Sequence, residues 1–252
     1  METLLEVRNL AKTFSKGKKN EYTAVDNVSF KLAAGETLGL VGESGSGKST
    51  LAKIIARLIK PDSGSVFLNG KDITNLSGRN LRDAYRQMQM VFQSPAGSFN
   101  SRKTIGFSIG ESLLNEGVPE KEREQRVKDL LQQCGLPAGF AERYPHEISG
   151  GQCQRAAVAR ALAIRPALLI CDEATSALDV TVQQQIMDLL KQLKTEHNLS
   201  FLFICHNLAL VQSFCDRVMV MHEGKIVEEG TPDKVINMPE SEYTRRLVDA
   251  AF

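Results

Sequence analysis

An α/β fold with a parallel sheet at its centre is what this sequence predicts, and three observations carry the prediction. Strand-type apolar runs alternate with amphipathic helical patterns along the 252 residues, the order expected when helices flank a sheet. A glycine-rich loop, Gly42-Glu43-Ser44-Gly45-Ser46-Gly47-Lys48-Ser49, stands between one such strand and one such helix. Two regions break the alternation. Residues 1–35 and 64–70 read as short strands with turns and predict an antiparallel layer. Residues 94–148 carry little strand signal and predict a helical insertion. The expected organisation is one domain: a core over 1–93 and 162–230 that includes the β layer, a helical part over 94–161, and a tail over 231–252. With 42% hydrophobic residues, the chain can bury a sizeable core.

Each element follows from local pattern. The apolar run 36–41 leads into the glycine loop, and a helix over 48–58 is stopped by Pro61-Asp62-Ser63-Gly64. Pro119 opens a charged segment in which Val127, Leu130, Leu131 and Cys134 share one helical face. A helix over 153–164 is ended by Pro166, and 167–171 forms a buried strand. Val182, Ile186, Leu189, Leu190 and Leu193 then recur at helical spacing. Residues 199–205 and 218–221 are further buried strands. His222-Glu223-Gly224-Lys225 turns the last of them into 226–230, a hairpin signal.

Composition excludes some functions. Lys and Arg total 31 against 30 Asp and Glu, a net charge of +1, which argues against a nucleic-acid partner. The one tight basic cluster, Lys16, Lys18 and Lys19, reads as a solvated loop. The five cysteines, Cys134, Cys153, Cys171, Cys205 and Cys215, lack C-x-x-C spacing. Cys171 and Cys205 end apolar runs, so they read as small buried hydrophobes in a reducing compartment. There is no charged-then-apolar leader and no apolar run approaching about 18 residues. A cytoplasmic chain is expected, and any membrane role must come from docking onto another chain.

The glycine loop fits G-x-x-x-x-G-K-[ST]. Gly42, Gly45 and Gly47 let backbone N–H groups turn inward around phosphate oxygens, and Glu43, Ser44 and Ser46 complete the cradle. The following helix aims its positive end at the same anion. Lys48 supplies charge to the β- and γ-phosphates, and the Ser49 hydroxyl, with Thr50 beside it, suits Mg²⁺. Asp172 and Glu173 end a strand, where an open α/β sheet places its ligands. Asp172 is expected to hold the hydration shell of Mg²⁺, and Glu173 to act as general base for water attacking the γ-phosphorus. Ser149 can cap a helix while donating to an anion, and Gly150 and Gly151 allow close backbone approach.

The run Tyr144-Pro145-His146-Glu147-Ile148-Ser149-Gly150-Gly151-Gln152-Cys153-Gln154-Arg155, downstream of the glycine loop, resembles the signature of the ATP-binding-cassette (ABC) family. The resemblance spans about 5–247. It implies a RecA-like P-loop NTPase core, ATP and Mg²⁺ as ligands, and an ATP sandwich. In such a sandwich Ser149, Gly150, Gly151 and Gln152 reach the nucleotide of an opposite subunit. By the same resemblance Gln93 touches Mg²⁺ and senses the membrane partner, and Asp179, closing Ser176-Ala177-Leu178-Asp179, lies in the loop that joins the two active sites. His206 bonds the γ-phosphate, and Phe14 stacks on adenine, although a core phenylalanine is the alternative there. Ala174 and Asn207 stand where the family often has proline and aspartate; neither position supplies an essential charge.

Within the family, DNA-repair members carry inserted coiled coils or zinc modules, and translation members carry two cassettes; neither feature is present. An iron–sulfur assembly ATPase fits by length. Against it, the run 92–106, Phe92-Gln93-Ser94-Pro95 through Thr104-Ile105-Gly106, resembles a stretch of the oligopeptide, dipeptide and nickel importer ATPases. Ser94, Phe99 and Ser101 depart from that pattern. Tyr243-Thr244-Arg245-Arg246-Leu247 resembles the close of the same branch. The resemblance implies two membrane-spanning permeases, a second and different ATPase chain, an extracytoplasmic substrate-binding protein, and a place at the cytoplasmic face of the inner membrane.

Overall fold

The structure is a computed structural model that describes residues 2–15, 21–174 and 179–250; the lysine cluster of 16–19 and residues 176–178 lie outside them. The chain runs β1 (Thr3–Ser15), β2 (Glu21–Ala33), β3 (Thr37–Val41), α1 (Lys48–Ile55), β4 (Ser63–Leu68), β5 (Lys71–Asp72), α2 (Gly78–Gln87) and β6 (Met88–Val91). It continues through α3 (Pro95–Ser98), α4 (Ile105–Asn115), α5 (Glu120–Gln133), two short 3₁₀ turns, and α6 (Gly150–Leu162). There follow β7 (Leu168–Asp172), α7 (Val180–His197), β8 (Ser200–Ile204), α8 (Leu208–Phe214), β9 (Arg217–His222), β10 (Lys225–Gly230), α9 (Pro232–Asn237) and α10 (Glu242–Asp249).

Two sheets form. The larger has the order β10-β9-β3-β8-β7-β6, parallel except for the β9–β10 hairpin. The smaller, β2-β1-β4-β5, is antiparallel. Strands β3, β7 and β8 are buried along their whole length, as strands covered on both faces must be. Alternation then sorts their side chains into two cores. Leu38, Leu40, Leu168, Ile170, Leu202 and Ile204 join the antiparallel layer and α1. Leu169, Cys171, Phe201, Phe203, Val218 and Val220 join the helices of the opposite face. The parallel sheet is thus the middle layer, and the glycine loop leaves it at the end of β3.

Three element boundaries differ from the sequence expectation, each for a local reason. The antiparallel layer uses two strands of 13 residues each, not several short ones. Irregularities in register, with Asn9 and Asn27 at φ 48° and 52°, interrupt the period-two pattern and make long strands read as short. Helix α1 ends at Ile55 and not at 58. Arg57 takes a left-handed φ of 59°, and the Leu58 N–H reaches back to the Lys53 carbonyl at 2.8 Å, closing the helix before Pro61 is reached. Helix α6 starts at Gly150 and not at 153, because Ser149 and Gln152 form a reciprocal capping box. The expected hairpin is present: Glu223 and Gly224 both have positive φ, 46° and 82°, as a tight two-residue turn between twisted strands requires.

All five cysteines are buried and free. Burial pushes the Cys171 and Cys205 thiols up to about 12, so both stay protonated and apolar in character.

Candidate functional site

The glycine loop is locked by contacts that leave no space for side chains at two positions. Gly42 has φ +149°, and a Cβ there would lie 2.2 Å from the Met221 carbonyl oxygen. Gly47, at φ +107°, would place a Cβ 2.0 Å from the Ala24 carbonyl oxygen. Neighbouring elements grip the loop between these points. The Gly224 N–H donates to the Ser46 carbonyl at 3.0 Å, and the Tyr22 hydroxyl donates to the Gly45 carbonyl. The Tyr243 hydroxyl accepts the Glu43 N–H at 2.9 Å.

Lys48 opens α1 and is buried, at 4% exposure. Its Nζ donates to the carbonyls of Gly42 at 2.8 Å and Glu43 at 2.7 Å, and lies 3.3 Å from Ser46 Oγ. Burial pulls its ammonium below the ordinary lysine range, against the pull of Glu173 and Asp172. Ser49, next on the helix, donates through Oγ to Asp172 Oδ1 at 2.8 Å. Burial raises the Asp172 carboxyl above its usual range, while the Ser49 bond, Lys53 and Lys48 oppose the rise. Thr50 follows at the helix start, partly buried.

Glu173 leaves β7 with a left-handed φ of 48°, a conformation that costs a non-glycine residue on the order of 1 kcal/mol. Its N–H stays tied to the Ile204 carbonyl at 3.0 Å, and its Oε2 accepts from Gln93 Nε2 at 2.7 Å. The structure therefore brings Lys48, Ser49, Asp172, Glu173 and Gln93 to one corner. Ser49, Lys53, Phe92, Gln93 and Asp172 line a single open cleft there. Among the described residues no cluster of three His, Cys, Asp or Glu side chains could hold a metal alone. A hard cation in this corner would draw on the Ser49 hydroxyl, the Asp172 carboxylate and phosphate oxygens, a donor set that suits Mg²⁺.

His206 follows β8, the neighbour of β3, and is exposed. Phe14 lies near the end of β1, 37% exposed and opposite Tyr22, so the core alternative does not hold for it. Asp62 steadies this strand end, holding Lys12 Nζ and the Thr13 N–H at 2.7 Å each.

A second group gathers elsewhere. The Ser149 side chain accepts the Gln152 N–H at 3.3 Å, and the Gln152 side chain accepts the Ser149 N–H at 2.9 Å. Gly151 packs against α7, where a Cβ would lie 2.5 Å from Val182 Cγ1. Asp179 caps that helix by accepting the Val182 N–H at 2.9 Å. Ser149, Gly150, Gly151, Gln152 and Asp179 thus adjoin one another through the starts of α6 and α7. No hydrogen bond among the described residues links them to the glycine loop.

The sequence reading passed over two loop contacts. Tyr22 carried no signal, being one aromatic residue in a strand. Tyr243 stood out only as part of a closing motif.

A phosphate-binding loop at the C-terminal end of a parallel strand, beside paired carboxylates, defines a P-loop nucleoside triphosphatase. The profile described as ABC transporter matches residues 25–176, and the chain belongs to that family. It is 46% identical over 249 residues to the oligopeptide transport ATP-binding protein OppF of Streptococcus mutans, covering 98% of this chain and 81% of that protein. It is 43% identical over 251 residues to the dipeptide transport ATP-binding protein DppF of Lactococcus lactis, covering 98% and 80%. Among solved structures it matches the ATP-binding cassette MJ0796, a dimer in a post-hydrolysis state bound to ADP and Pi. That match has a TM-score of 0.83 at 30% identity and covers 91% of this chain and 99% of that one. CbiO1 of Clostridium perfringens, part of the ABC transporter complex cbiONQ, matches with TM-score 0.83 at 29% identity, covering 95% and 93%. Among the described residues no helix is long and apolar enough to cross a membrane.

Proposed function

We propose that this chain hydrolyses ATP to drive peptide uptake through an ABC importer. The observation that carries the reading is its similarity, over 98% of its length, to proteins named for oligopeptide and dipeptide transport. That span includes the 92–106 segment and the Tyr243–Leu247 close. The same names favour peptides over nickel-type chelates.

In this reading Phe14 stacks on adenine, and the loop N–H groups of 44–49, which follow the Glu43 N–H held by Tyr243, surround the phosphates. Lys48 exchanges its loop carbonyls for the β- and γ-phosphate oxygens. Ser49, Asp172 and Gln93 would hold Mg²⁺, which would supply positive charge against the phosphoryl oxygens. Glu173, steadied by Gln93, takes the proton of the attacking water; the new bond forms at the γ-phosphorus, and ADP leaves with the bridging oxygen. His206 donates to the γ-phosphate. Ser149, Gly150, Gly151 and Gln152 serve the ATP of a second ATPase chain, with Asp179 at the joint between the two sites. The division into a core of 1–93 and 162–230, a helical part of 94–161 and a tail accompanies this assignment. The assembly contains two membrane-spanning permeases and receives its cargo from an extracytoplasmic binding protein, with this chain at the cytoplasmic face.

Reconstitution of the whole complex in vesicles tests the proposal. Peptides presented by the binding protein should stimulate ATP hydrolysis, and nickel chelates should not. Stimulation by chelates alone would overturn it.

A further inference from the structure

Tyr243 is the residue of the closing motif that the catalytic set leaves unexplained, and its hydroxyl lies on the phosphate loop. It sits in the first turn of α10, 6% exposed. Its oxygen accepts the Glu43 N–H at 2.9 Å across 200 residues of sequence. Its ring lies flat on His222, the last residue of β9, with centroids 3.8 Å apart and planes at 20°. The entry to α10 is itself fixed to the hairpin, because Glu228 of β10 accepts the N–H groups of Glu240 and Ser241, each at 2.9 Å. The hydroxyl is therefore held from the helix side and from the sheet side.

What it holds is the entry of the loop. The Glu43 carbonyl, on the other side of the same Cα, accepts Lys48 Nζ at 2.7 Å. Both peptide units flanking Glu43 are thus oriented, one by Tyr243 and the other by Lys48. Gly42 before them is backed by the Met221 carbonyl. An N–H committed to a tyrosine oxygen is withdrawn from the phosphate-binding set. It fixes instead the direction from which the following N–H groups converge.

We propose that Tyr243 is a positioning residue for ATP: helix α10 sets the entry of the phosphate loop and, through Glu43, the aim of Lys48, without touching the nucleotide. The proposal rests on the reading of this loop as the seat of ATP.

Tyr243→Phe is the informative variant, because it keeps the ring, its burial and the stack on His222 while removing the acceptor. Loss of one neutral, part-buried hydrogen bond costs the fold little. A neutral hydrogen bond of this kind is worth about two- to tenfold in an equilibrium. ATP affinity of the full chain and KM of the assembled transporter should weaken by about that factor. At saturating ATP, kcat should stay within about twofold, and the melting temperature should fall by no more than about 4 °C. Hydrogen exchange at the Glu43 amide should accelerate. A variant with the parent's ATP affinity and KM overturns the proposal. So does a fall in kcat and melting temperature at unchanged KM, which would make Tyr243 a prop for the fold alone. Equal ATP binding by the parent and by Lys48→Ala is a different result, and it would overturn the loop's assignment and the proposal with it.

Discussion

The phosphate-loop corner and the start of α6 are both glycine-bearing helix entries, yet the chain treats them in opposite ways. At the first, partners arrive from three other parts of the sequence, with Tyr22, the hairpin residues Met221 and Gly224, and Tyr243 gripping residues 42–47. At the second, Ser149 and Gln152 satisfy each other and the surface stays exposed. A helix N-terminus with its first donors capped locally is stable without a ligand and still presents positive potential outward. One region is finished by its own chain. The other is capped by its own residues and leaves its outer face open.

Breaking the first region at its chemical centre should give the largest effect. Glu173→Gln keeps the shape of the pair with Gln93 and removes the base, so turnover should fall by ~10²–10⁴-fold while ATP still binds. Phosphate release at the parent rate would remove Glu173 from the proton-transfer role. The variant should also accumulate as an ATP-bound pair of ATPase subunits, visible by size-exclusion chromatography.

The comparison itself is sharpened by pairing one substitution from each region. Ser149→Arg should lower hydrolysis in the assembly by ~10²–10³-fold, the scale of losing a transition-state donor, and leave ATP binding by the isolated chain intact. Lys48→Ala should weaken that isolated binding by ~10–100-fold, as loss of a charge-assisted contact does. Equal losses of binding in the two variants, measured by titration calorimetry, would show that the regions are not separate in kind.

The smallest effect concerns stability, and it has a sign. The Asp172 carboxyl is raised on folding by burial, so the folded chain holds a proton more tightly there than the unfolded one. Its contribution is therefore a penalty that is absent below the unfolded value, near 3.8, and grows as pH rises through the folded value. Asp172→Asn should melt higher than the parent at neutral pH, with the gain shrinking toward acid, while activity is lost. A gain that grew as pH fell would contradict the burial argument.

Much of this was legible from residue order alone. The glycine loop, the buried strand ending in Asp172 and the hairpin at Glu223-Gly224 each carry their mark within a short stretch of sequence, as a motif, an apolar run or a pair of turn residues. The capping box at Ser149 was half visible: the serine announced a cap, but the helix start at Gly150 depended on Gln152 reaching back. The grips of Tyr22 and Tyr243 were not readable. A tyrosine hydroxyl reaching a backbone group 200 residues away leaves no periodic trace. Nor did sequence show Glu173 in a left-handed conformation, because a glutamate carries none of the glycine or asparagine signal for positive φ.

Strand β3 lies between β8 and β9, with Leu38 opposite Leu202 on one side and Arg217 on the other. Both neighbours are made more than 150 residues after it. During synthesis, which proceeds from the N-terminus, the strand that carries the loop waits with two open edges until most of the ribosome's work is done. Such pairing is slow to close and exposed to mispairing in the interval. A chain that ends before β8 lacks both edges that flank β3, and with them the hairpin residues Met221 and Gly224 that back the loop.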